Sequence, residues 1–284
     1  MKHRLNVWIL GGDRRQVRLA RRLRQEGHTV HTYALIEPED VASLQGASRA
    51  DCIILPLPTA SADGLLNAPL SDRKHPLREL LCVLHPRQVI CAGKVDPDTA
   101  ALAAEYGLTL HDYFAREELA LANAVPTVEG AIQIAMEQLP ITLHGARVLV
   151  IGCGRLGKLL ALRMGGLGAK VGLSGRKCID FTWADIHGFI PEQTDQLEGW
   201  LGTYDLVVNT VPAQVLGLER LSELKEDCLV IDLASAPGGV DFEAARKLGV
   251  RAIHALSLPG KVAPVTAARA IWTAVSNILR EEGL

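Results

Sequence analysis

Residues 147–157 read RVLVIGCGRLG, where an apolar, strand-like run leads straight into a turn with three glycines. A stretch with helical spacing follows, and a second strand-like run begins at Lys170. Between a strand and a helix, GxGxxG is typical of a dinucleotide-binding turn. Its glycines allow a tight bend, close approach to a pyrophosphate and close helix–strand packing. The helix N-terminus adds N–H donors and partial positive charge. We therefore expect a nicotinamide dinucleotide to bind here through Gly152, Gly154, Arg155, Leu156 and Gly157.

The end of the next strand bears on the choice between NAD and NADP. It reads Ser174-Gly175-Arg176-Lys177, where an NAD site usually has an acidic residue for the ribose 2′-hydroxyl. A hydroxyl and two cations suit a 2′-phosphate instead. The sequence therefore favours NADP, bound through Ser174, Arg176 and Lys177, and NAD remains the alternative if both cations only face solvent. Because ligands lie at the carboxyl ends of parallel strands, further contacts are expected from Asn209, Thr210, Val211, Pro212 and Ala234.

Strand-like and helix-like segments alternate along all 284 residues. This alternation predicts an α/β fold with parallel sheets and helices on both faces, and the length predicts about two domains. We expect two Rossmann-like lobes with a substrate cleft between them. The N-terminal α/β substrate lobe covers 1–122 and would be completed by a C-terminal helix within 264–284 that packs back on it; linker helices and the NAD(P)-binding domain occupy 123–284.

The expected secondary structure follows from the same periodicity. Linker helices are expected over 116–123 and 127–137, divided by Pro126. The expected strands cover 5–10, 29–34, 52–57, 88–91 and 108–111 in the first lobe, then 147–151, 170–174, 205–210, 229–233 and 251–255.

The composition excludes several classes of protein. There are 30 basic against 32 acidic residues, a net charge of −2, which removes the electrostatic case for binding nucleic acid or an anionic membrane. Aromatic residues make up 4%, too few for stacking single-stranded nucleic acid. The longest apolar runs are far shorter than the about 20 residues that a membrane-spanning helix needs. The six cysteines form no CxxC pair and the histidines have no metal-ligand spacing, so we expect reduced thiols, no metal site and a cytoplasmic protein without a signal peptide.

The first glycine turn of the chain differs from the one at Gly152. It reads Gly11-Gly12-Asp13-Arg14-Arg15-Gln16 and lacks a third glycine, so dinucleotide binding is not expected there. Asp13 is the expected N-cap of a helix over 14–26. Arg14 and Arg15 stand in its first turn, where the helix dipole disfavours cations. Two arginines beside backbone donors would make a receptor for a carboxylate; the alternative is a solvated basic face.

Six motifs, spread over almost the full length, carry a resemblance to a known family. They are GGDR with Gln16 in residues 11–16, LPLP at 55–58, NAVPTVEG at 123–130, ITLHG at 141–145, DLASAPGG at 232–239 and LPGKVAP at 258–264. With these motifs the chain resembles the dipicolinate synthase A subunit of spore-forming bacteria. The resemblance implies a role in the sporulating mother cell and a flavoprotein-like dipicolinate synthase B subunit as partner. It also implies conversion of 4-hydroxy-tetrahydrodipicolinate, on the lysine route, into dipicolinate. We also expect a homo-oligomer.

The implied reaction removes one hydride and one water, and aromatisation of the ring supplies much of the driving force. We expect Glu129 and Lys261 to be catalytic, with Glu129 as a general base tuned by burial; the alternative for Glu129 is an ordinary carboxylate in the first turn of a helix. Asp232 is expected to anchor the loop after its strand, and His254 to be a core residue. The dicarboxylate is expected to contact Arg14, Arg15, Thr127, Ser235 and Lys261, with close backbone approach at Gly238, Gly239 and Gly260.

Two other functions stay open on the sequence. Residues 209–212, which read NTVP, also fit an NADP-linked dehydrogenase of the shikimate or methylenetetrahydrofolate type. The chain could instead be a non-catalytic, cofactor-binding regulatory subunit, with catalysis held by its partner. The two-lobed 2-hydroxyacid dehydrogenases are similar in architecture, but the stretch 257–264 lacks the late histidine that they use.

Overall fold

The chain is described from a computed structural model that covers residues 4–35, 40–61 and 63–284. It divides into two compact units: Met1–Asn123 together with Pro259–Leu284 form the first, and Ala124–Leu258 form the second. The first unit is therefore discontinuous in sequence, because the chain leaves it at Asn123 and returns to it at Pro259.

Strands and helices alternate in both units. The strands are β1 (Asn6–Leu10), β2 (Thr29–Tyr33), β3 (Cys52–Ile54), β4 (Val89–Ala92), β5 (Leu110–Asp112), β6 (Arg147–Ile151), β7 (Lys170–Gly175), β8 (Ile190–Gln193), β9 (Leu206–Asn209), β10 (Leu229–Asp232) and β11 (Arg251–His254). The helices are α1 (Arg14–Gln25), α2 (Leu77–Leu81), α3 (Pro97–Glu105), α4 (Glu117–Gln138), α5 (Arg155–Gly166), α6 (Cys178–Ile186), α7 (Leu218–Ser222), α8 (Phe242–Leu248), α9 (Leu258–Val262) and α10 (Pro264–Glu281).

The first unit is built on a parallel sheet of order β2-β1-β3-β4-β5. Its inner strands β1, β3 and β4 are apolar on both faces, as buried parallel strands are. One face packs against α1 and α10, with Ile9 and Ile54 in that core. The other face packs against α2, with Leu10 and Ile53 in a second core.

The C-terminal helix α10 belongs to the first unit. Its inward side buries Ala268, Ile271, Val275 and Leu279, the helical spacing of an apolar stripe. Trp272, on the same side, donates its indole N–H to Glu26 at 3.1 Å. The packing of α10 on this unit keeps the stripe out of water and makes residues 259–284 part of the first unit.

The second unit has a parallel sheet of order β11-β10-β9-β6-β7-β8. The strand order reverses between β6 and β9, so these two strands flank the switch point where open α/β sheets bind ligands. Both sheets are parallel and flanked by helices, which confirms the expected α/β fold with two Rossmann-like lobes. The exposed edge strand β8, IPEQ, was not among the expected strands, because its sequence has no apolar alternation.

The expected division of the linker helices at Pro126 is wrong. A single helix, α4, runs from Glu117 to Gln138 with Pro126 inside it. Proline removes one intrahelical hydrogen bond, but buried side chains hold the helix on both sides of it, Leu119 in the first unit and Val128, Ala131 and Ala135 in the second. Burial on both sides explains why the helix continues. Among the described residues, α4 is also the one helix long and apolar enough by composition to cross a membrane; its buried residues lie in these two cores.

Candidate functional site

The glycine-rich turn of the second unit joins β6 to α5 at the switch point. Gly152 has a φ of 104°, and a Cβ there would lie 2.5 Å from the Thr210 hydroxyl. A Cβ on Gly157 would overlap the carbonyl oxygen of Gly152. Larger residues at these two positions would push the turn away from the sheet and α5 away from β6, which is the physical reason for both glycines.

Gly154 serves a different purpose, because it keeps space open. It is the N-cap of α5, no side chain caps the helix, and a Cβ on it would meet nothing within 4 Å. The first N–H groups of a 12-residue helix therefore face an exposed position without a capping side chain. A diphosphate would satisfy such donors and meet the positive end of the helix dipole. The turn therefore fits a dinucleotide, with Arg155 exposed beside it and Leu156 packed against the core.

The residues at the end of β9 and just after it differ in burial and in hydrogen bonding. Asn209 is fully buried and uses its whole amide, donating to Val211 O at 2.9 Å and to Asp232 Oδ1 at 2.8 Å and accepting from Val211 N at 3.1 Å. Both polar atoms of its side chain are thus engaged within the chain, and the expected contact of Asn209 with a cofactor stays a prediction. Thr210 binds back to Ile151 O at 2.8 Å. Val211 is half-buried and Pro212 is exposed beside it, both at the carboxyl edge of the sheet.

Asp232 anchors the next loop, as expected. Its buried carboxylate accepts from Asn209, from Ala234 N at 3.0 Å and from Gly239 N at 2.8 Å. Ala234 is itself buried, and its carbonyl oxygen lies 3.1 Å from Nε2 of the half-buried His254. Three donors on one carboxylate compensate its desolvation and fix the path of residues 233–239.

The expected approach of Gly238 and Gly239 to a substrate stays a prediction, and the structure gives these glycines another physical reason. Both residues are buried. A Cβ on Gly238 would lie 2.7 Å from Asp232 Oδ2, and one on Gly239 would overlap the Asn209 amide nitrogen. The close approach that requires glycine is therefore to the side chains of Asp232 and Asn209, whereas the neighbouring Ser235 is exposed on the same loop.

At the end of β7 the structure separates the three expected NADP contacts. Ser174 is fully buried and hydrogen-bonds Thr194 at 3.0 Å, which disfavours the expected contact of its hydroxyl with a 2′-phosphate. Arg176 and Lys177 are exposed. Their backbone N–H groups both donate to Asp180 Oδ2, at 3.2 and 3.1 Å. No sequence expectation covers Asp180; the spacing of an acidic residue three positions after a helix cap is the signal that indicates it.

In the glycine turn of the first unit, a carboxylate of the chain itself caps the helix that follows. Asp13 is the N-cap of α1, as expected, and accepts from Arg15 N at 2.8 Å. The Arg15 guanidinium forms a two-pronged ion pair with Asp13, at 2.9 Å for both Nε–Oδ1 and Nη2–Oδ2, and donates to Leu57 O at 2.7 Å. Arg15 is 7% exposed. The carboxylate of Asp13 and Leu57 O engage Nε and Nη2 of Arg15, and the expected contact of Arg15 with a substrate carboxylate stays a prediction.

Three other expected residues lie near this turn. Arg14 is exposed, and within the described part of the chain its side chain has no hydrogen-bond or ion-pair partner. Gly260 lies in α9, and a Cβ on it would lie 3.1 Å from Asp13 Oδ2 and 3.2 Å from Arg15 Nε. The close approach at Gly260 is therefore to the ion pair. Lys261, the next residue, is exposed.

The two candidate residues on α4 differ in exposure. Glu129 is exposed, so the expectation that burial tunes it is wrong. It follows the buried Val128, and the helical turn places it on the outer side of the helix. Thr127 is half-buried on the same helix.

The remaining titratable side chains bear on metal binding and on thiol chemistry. Within residues 4–35, 40–61 and 63–284, no group of three or more His, Cys, Asp or Glu side chains could hold a metal ion. All six cysteines are free thiols. Burial, followed by the carboxylate of Asp180, raises the pKa of Cys153 in the glycine turn, so this thiol is a poor nucleophile near neutral pH.

Comparison with known proteins extends these observations to the whole chain. Residues 6–114 match the family model of the N-terminal domain of the dipicolinate synthase A subunit. The dipicolinate synthase A subunit of Bacillus subtilis (strain 168) is 31% identical, over 98% of this chain and 96% of that protein. The crystal structure of the dipicolinate synthase A subunit from Bacillus halodurans has a TM-score of 0.90 at 29% identity, over 98% of this chain and 99% of that one. A transhydrogenase from Sinorhizobium meliloti has a TM-score of 0.68 at 16% identity, over 96% and 95% of the two chains, and shares the fold alone.

These matches cover both units, including the glycine-rich turn at Gly152. They confirm the resemblance that the six sequence motifs carry. At 31% identity to the Bacillus subtilis protein over 98% of its own length, the chain belongs to the family of dipicolinate synthase A subunits.

Proposed function

We propose that the chain is the NAD(P)-dependent oxidoreductase subunit of a dipicolinate synthase. In this proposal it oxidises a hydroxylated tetrahydrodipicolinate, with loss of water, on the way to dipicolinate. The observation that carries the proposal is the open N-cap at Gly154, an anion-binding turn at the switch point of a chain of this family. A nicotinamide bound through this turn would accept the hydride.

We propose NADP as the preferred dinucleotide. The Asp180 carboxylate holds the backbone after β7, and the side chains of Arg176 and Lys177 extend from that fixed turn into solvent. Two cations at the position where an NAD site carries an acidic residue favour a 2′-phosphate through charge-assisted hydrogen bonds. The expected consequence is a difference in affinity between NADPH and NADH that depends on these two residues.

The substrate side of the proposal uses exposed cations of the first unit. Arg14 and Lys261 are exposed, and neither has a side-chain partner among the described residues. A dicarboxylate requires such cations, whereas Arg15 holds the turn in shape through Asp13 and Leu57. Ser235 and Thr127 remain proposed hydroxyl donors to the substrate.

Proton transfer is assigned to exposed groups. Glu129 has no hydrogen-bond or ion-pair partner among the described residues, and it remains the proposed base. Lys261 is the proposed group that stabilises negative charge while the ring becomes aromatic. Because Glu129 is exposed, its role depends on its position relative to the bound substrate rather than on burial.

The family supplies the proposed setting of the reaction. We propose a flavoprotein-like B subunit as partner, a homo-oligomeric state, and action in the cytoplasm of a sporulating mother cell. The B subunit and the sporulating mother cell follow from the family resemblance, whereas the cytoplasm and the homo-oligomer are separate sequence-based expectations.

The experiment that tests the function mixes the purified chain, with and without its partner subunit, with the hydroxylated tetrahydrodipicolinate and NADP or NAD. The absorbance of the reduced nicotinamide and that of the pyridine product are followed together. We expect both signals to rise in parallel, faster with NADP. The double substitution Arg176→Ala/Lys177→Ala should weaken NADPH binding by about tenfold, as loss of a charge-assisted contact predicts, and leave NADH binding unchanged. Lys247→Ala, on the exposed side of α8, is the matched control.

Two outcomes would overturn parts of this proposal. Nucleotide binding without any change in the nicotinamide absorbance, even with the partner and substrate present, would indicate a cofactor-binding regulatory subunit. Equal affinities for NADPH and NADH, unaffected by the double substitution, would remove the assignment of Arg176 and Lys177.

A further inference from the structure

The loop after β4 contains a lysine in an unusual backbone conformation. Lys94 has a φ of 54°, in the left-handed region that residues with a Cβ disfavour. Glycine adopts this conformation without the steric cost, and residue 93, its neighbour, is a glycine. A lysine held in this conformation indicates a use for its side chain, because strained backbone of this kind concentrates at functional sites.

One carboxylate stabilises the strained conformation through hydrogen bonds from backbone N–H groups. Asp112, at the end of β5, accepts from Lys94 N and Val95 N, both at 3.0 Å, and from Phe114 N at 2.8 Å. Three backbone donors balance the charge of Asp112, and no ion pair links it to the Lys94 ammonium. Within the described part of the chain, the exposed ammonium of Lys94 has no partner.

The position of Lys94 in the sheet connects it to the turn after β1. Gly93 donates to Pro56 O at 3.1 Å, and a Cβ on Gly93 would lie 2.8 Å from Leu57 Cβ. Leu57 O in turn accepts from Arg15 at 2.7 Å. The carboxyl ends of β4, β3 and β1 thus form one continuous edge, with Lys94 at one end of it and Arg14 at the other.

The charges along this edge favour a ligand with two negative groups. Asp13 neutralises Arg15, which leaves Arg14 and Lys94 as free cations after β1 and β4. Their strands are two positions apart in the sheet, about 10 Å. A six-membered ring with a carboxylate on each side of the ring nitrogen, plus one N–H···O contact at each end, spans a comparable distance.

We propose that Lys94 binds a carboxylate of the substrate, with Arg14 binding the other carboxylate. This inference deepens the proposed function and rests on it. It assigns binding of the dicarboxylate to the first unit. The strained conformation of Lys94 would then place its ammonium for contact with a carboxylate.

The experiment measures binding of dipicolinate to the full-length chain by isothermal titration calorimetry, and thermal stability in parallel. Lys94→Gly should weaken dipicolinate binding by at least about tenfold, the loss of one charge-assisted hydrogen bond. The same substitution should leave the melting temperature unchanged or raise it, because glycine relieves the left-handed strain. Lys94→Arg should keep affinity within about threefold of the natural chain, since it keeps the charge. Picolinate, with a single carboxylate, should bind weakly and respond less to Lys94→Gly than dipicolinate does.

Two control variants separate charge and backbone effects. Ala34 also has a positive φ, 60°, so Ala34→Gly relieves similar strain and should leave dipicolinate binding unchanged. Lys247→Ala removes an exposed cation from α8 and should have no effect on binding.

The outcomes distinguish this inference from the proposed function. NADPH is titrated into the same variants. Dipicolinate binding that is equally tight in Lys94→Gly, with NADPH binding intact, would overturn the role of Lys94 and leave the proposed function standing. Absence of NADPH binding in the natural chain would overturn the proposed function instead.

Discussion

The sheets of the two units begin in the same way, but their glycine turns differ at the N-cap of the helix that follows. In both, a five-residue strand leads through a glycine turn into a 12-residue helix, β1 to α1 and β6 to α5. The N-cap is Asp13 in the first unit and Gly154 in the second. The carboxylate of Asp13 occupies the helix N-terminus and is paired with Arg15, whereas the N-terminus at Gly154 has no capping side chain and open space beside it.

The difference teaches how one supersecondary unit serves two purposes. A helix N-terminus attracts an anion, and the first unit supplies that anion from its own chain. The second unit leaves the same place to a ligand. The third glycine position follows the same division, since Gly157 lets α5 pack against Gly152, whereas Gln16 in the first unit completes a capping box with Asp13.

The largest expected effect comes from filling the contact at Gly157. Gly157→Ala would place a Cβ on the carbonyl oxygen of Gly152, and we expect a loss of about 4 kcal/mol in the free energy of unfolding together with loss of NADPH binding. Urea denaturation and NADPH fluorescence titration measure both. Gly166→Ala in the same helix, where a Cβ meets nothing within 4 Å, should be neutral or stabilising by up to about 1 kcal/mol. Similar behaviour of the two variants would contradict the packing role of Gly157.

Removing the carboxylate of the first unit should have the next largest effect. Asp13→Ala leaves the Arg15 guanidinium, whose side chain is 8% exposed, without its partner, and we expect a loss of about 3 kcal/mol in the free energy of unfolding, measured by urea denaturation. Asp96→Ala is the control, because Asp96 caps α3 through Thr99 without holding a buried cation, and it should lose only about 1 kcal/mol. Equal losses would show that Arg15 finds other partners and that the ion pair contributes nothing beyond the cap.

Transplanting the carboxylate tests the comparison directly. Gly154→Asp would give the second turn the N-cap of the first, so we expect NADPH affinity to fall by at least about 100-fold, or about 2.7 kcal/mol, because the carboxylate would occupy the place of the diphosphate. Stability should hold or rise, since the backbone at Gly154 suits an aspartate cap and a Cβ there would meet nothing within 4 Å.

The control for the transplant is Gly217→Asp. Gly217 caps α7 with nearly the same backbone, φ −84° and ψ −176° against −83° and −169° at Gly154. It should leave NADPH binding unchanged. Unchanged NADPH affinity in Gly154→Asp would mean that the diphosphate lies elsewhere.

The smallest effect is expected from acid on the cluster that joins α4 to α10 in the first unit. Hydrogen bonds from Asn277, from its own backbone N–H and from Arg116 lower the pKa of Glu118 to about 2, and Arg116 lowers the pKa of Glu281. A carboxylate whose pKa is lowered by folding stabilises the fold fully above its unfolded pKa of about 4.3 and loses that contribution as the pH falls through its folded pKa. The melting temperature of the natural chain should therefore fall as the pH drops from about 5 towards about 2.

The variant Glu118→Gln carries no titratable group at this position. Its melting temperature should start lower at neutral pH and fall less in acid, with a difference of about 1–3 °C, as expected for an exposed ion pair. Parallel acid slopes for the natural chain and the variant would remove Glu118 from the explanation.

The fold and the dinucleotide turn could be predicted from the sequence because both depend on local spacing. The alternation of strands and helices and the spacing of Gly152, Gly154 and Gly157 are visible without contacts. Pro126 misled the prediction of helix boundaries, because the burial of α4 on both sides outweighs the local preference of proline. Propensity is a weak guide where tertiary packing opposes it.

The expected site residues lie on the correct loops but do not always have the expected role. Ser174 and Asn209 lie at the ends of the expected strands, yet both side chains point into the protein and are satisfied there. Successive residues of a strand point to opposite sides, and the sequence does not say which polar partners a buried side chain meets. Lys94 was missed for a related reason, since its left-handed backbone depends on Asp112, 18 residues later.

The sequence by itself determined the α/β architecture, the glycine turn and the family, because these depend on the spacing of residues along the chain and on short motifs. Only the tertiary structure decided which polar groups are already paired within the chain and which are left for a ligand. Asp13 closes one turn and Gly154 opens the other, and Arg15 is occupied while Arg14 is free among the described residues. The physical reason is that the partners of a buried polar group are distant from it in sequence. Burying a polar group without a hydrogen-bond partner costs so much free energy that these partners decide the orientation of its side chain.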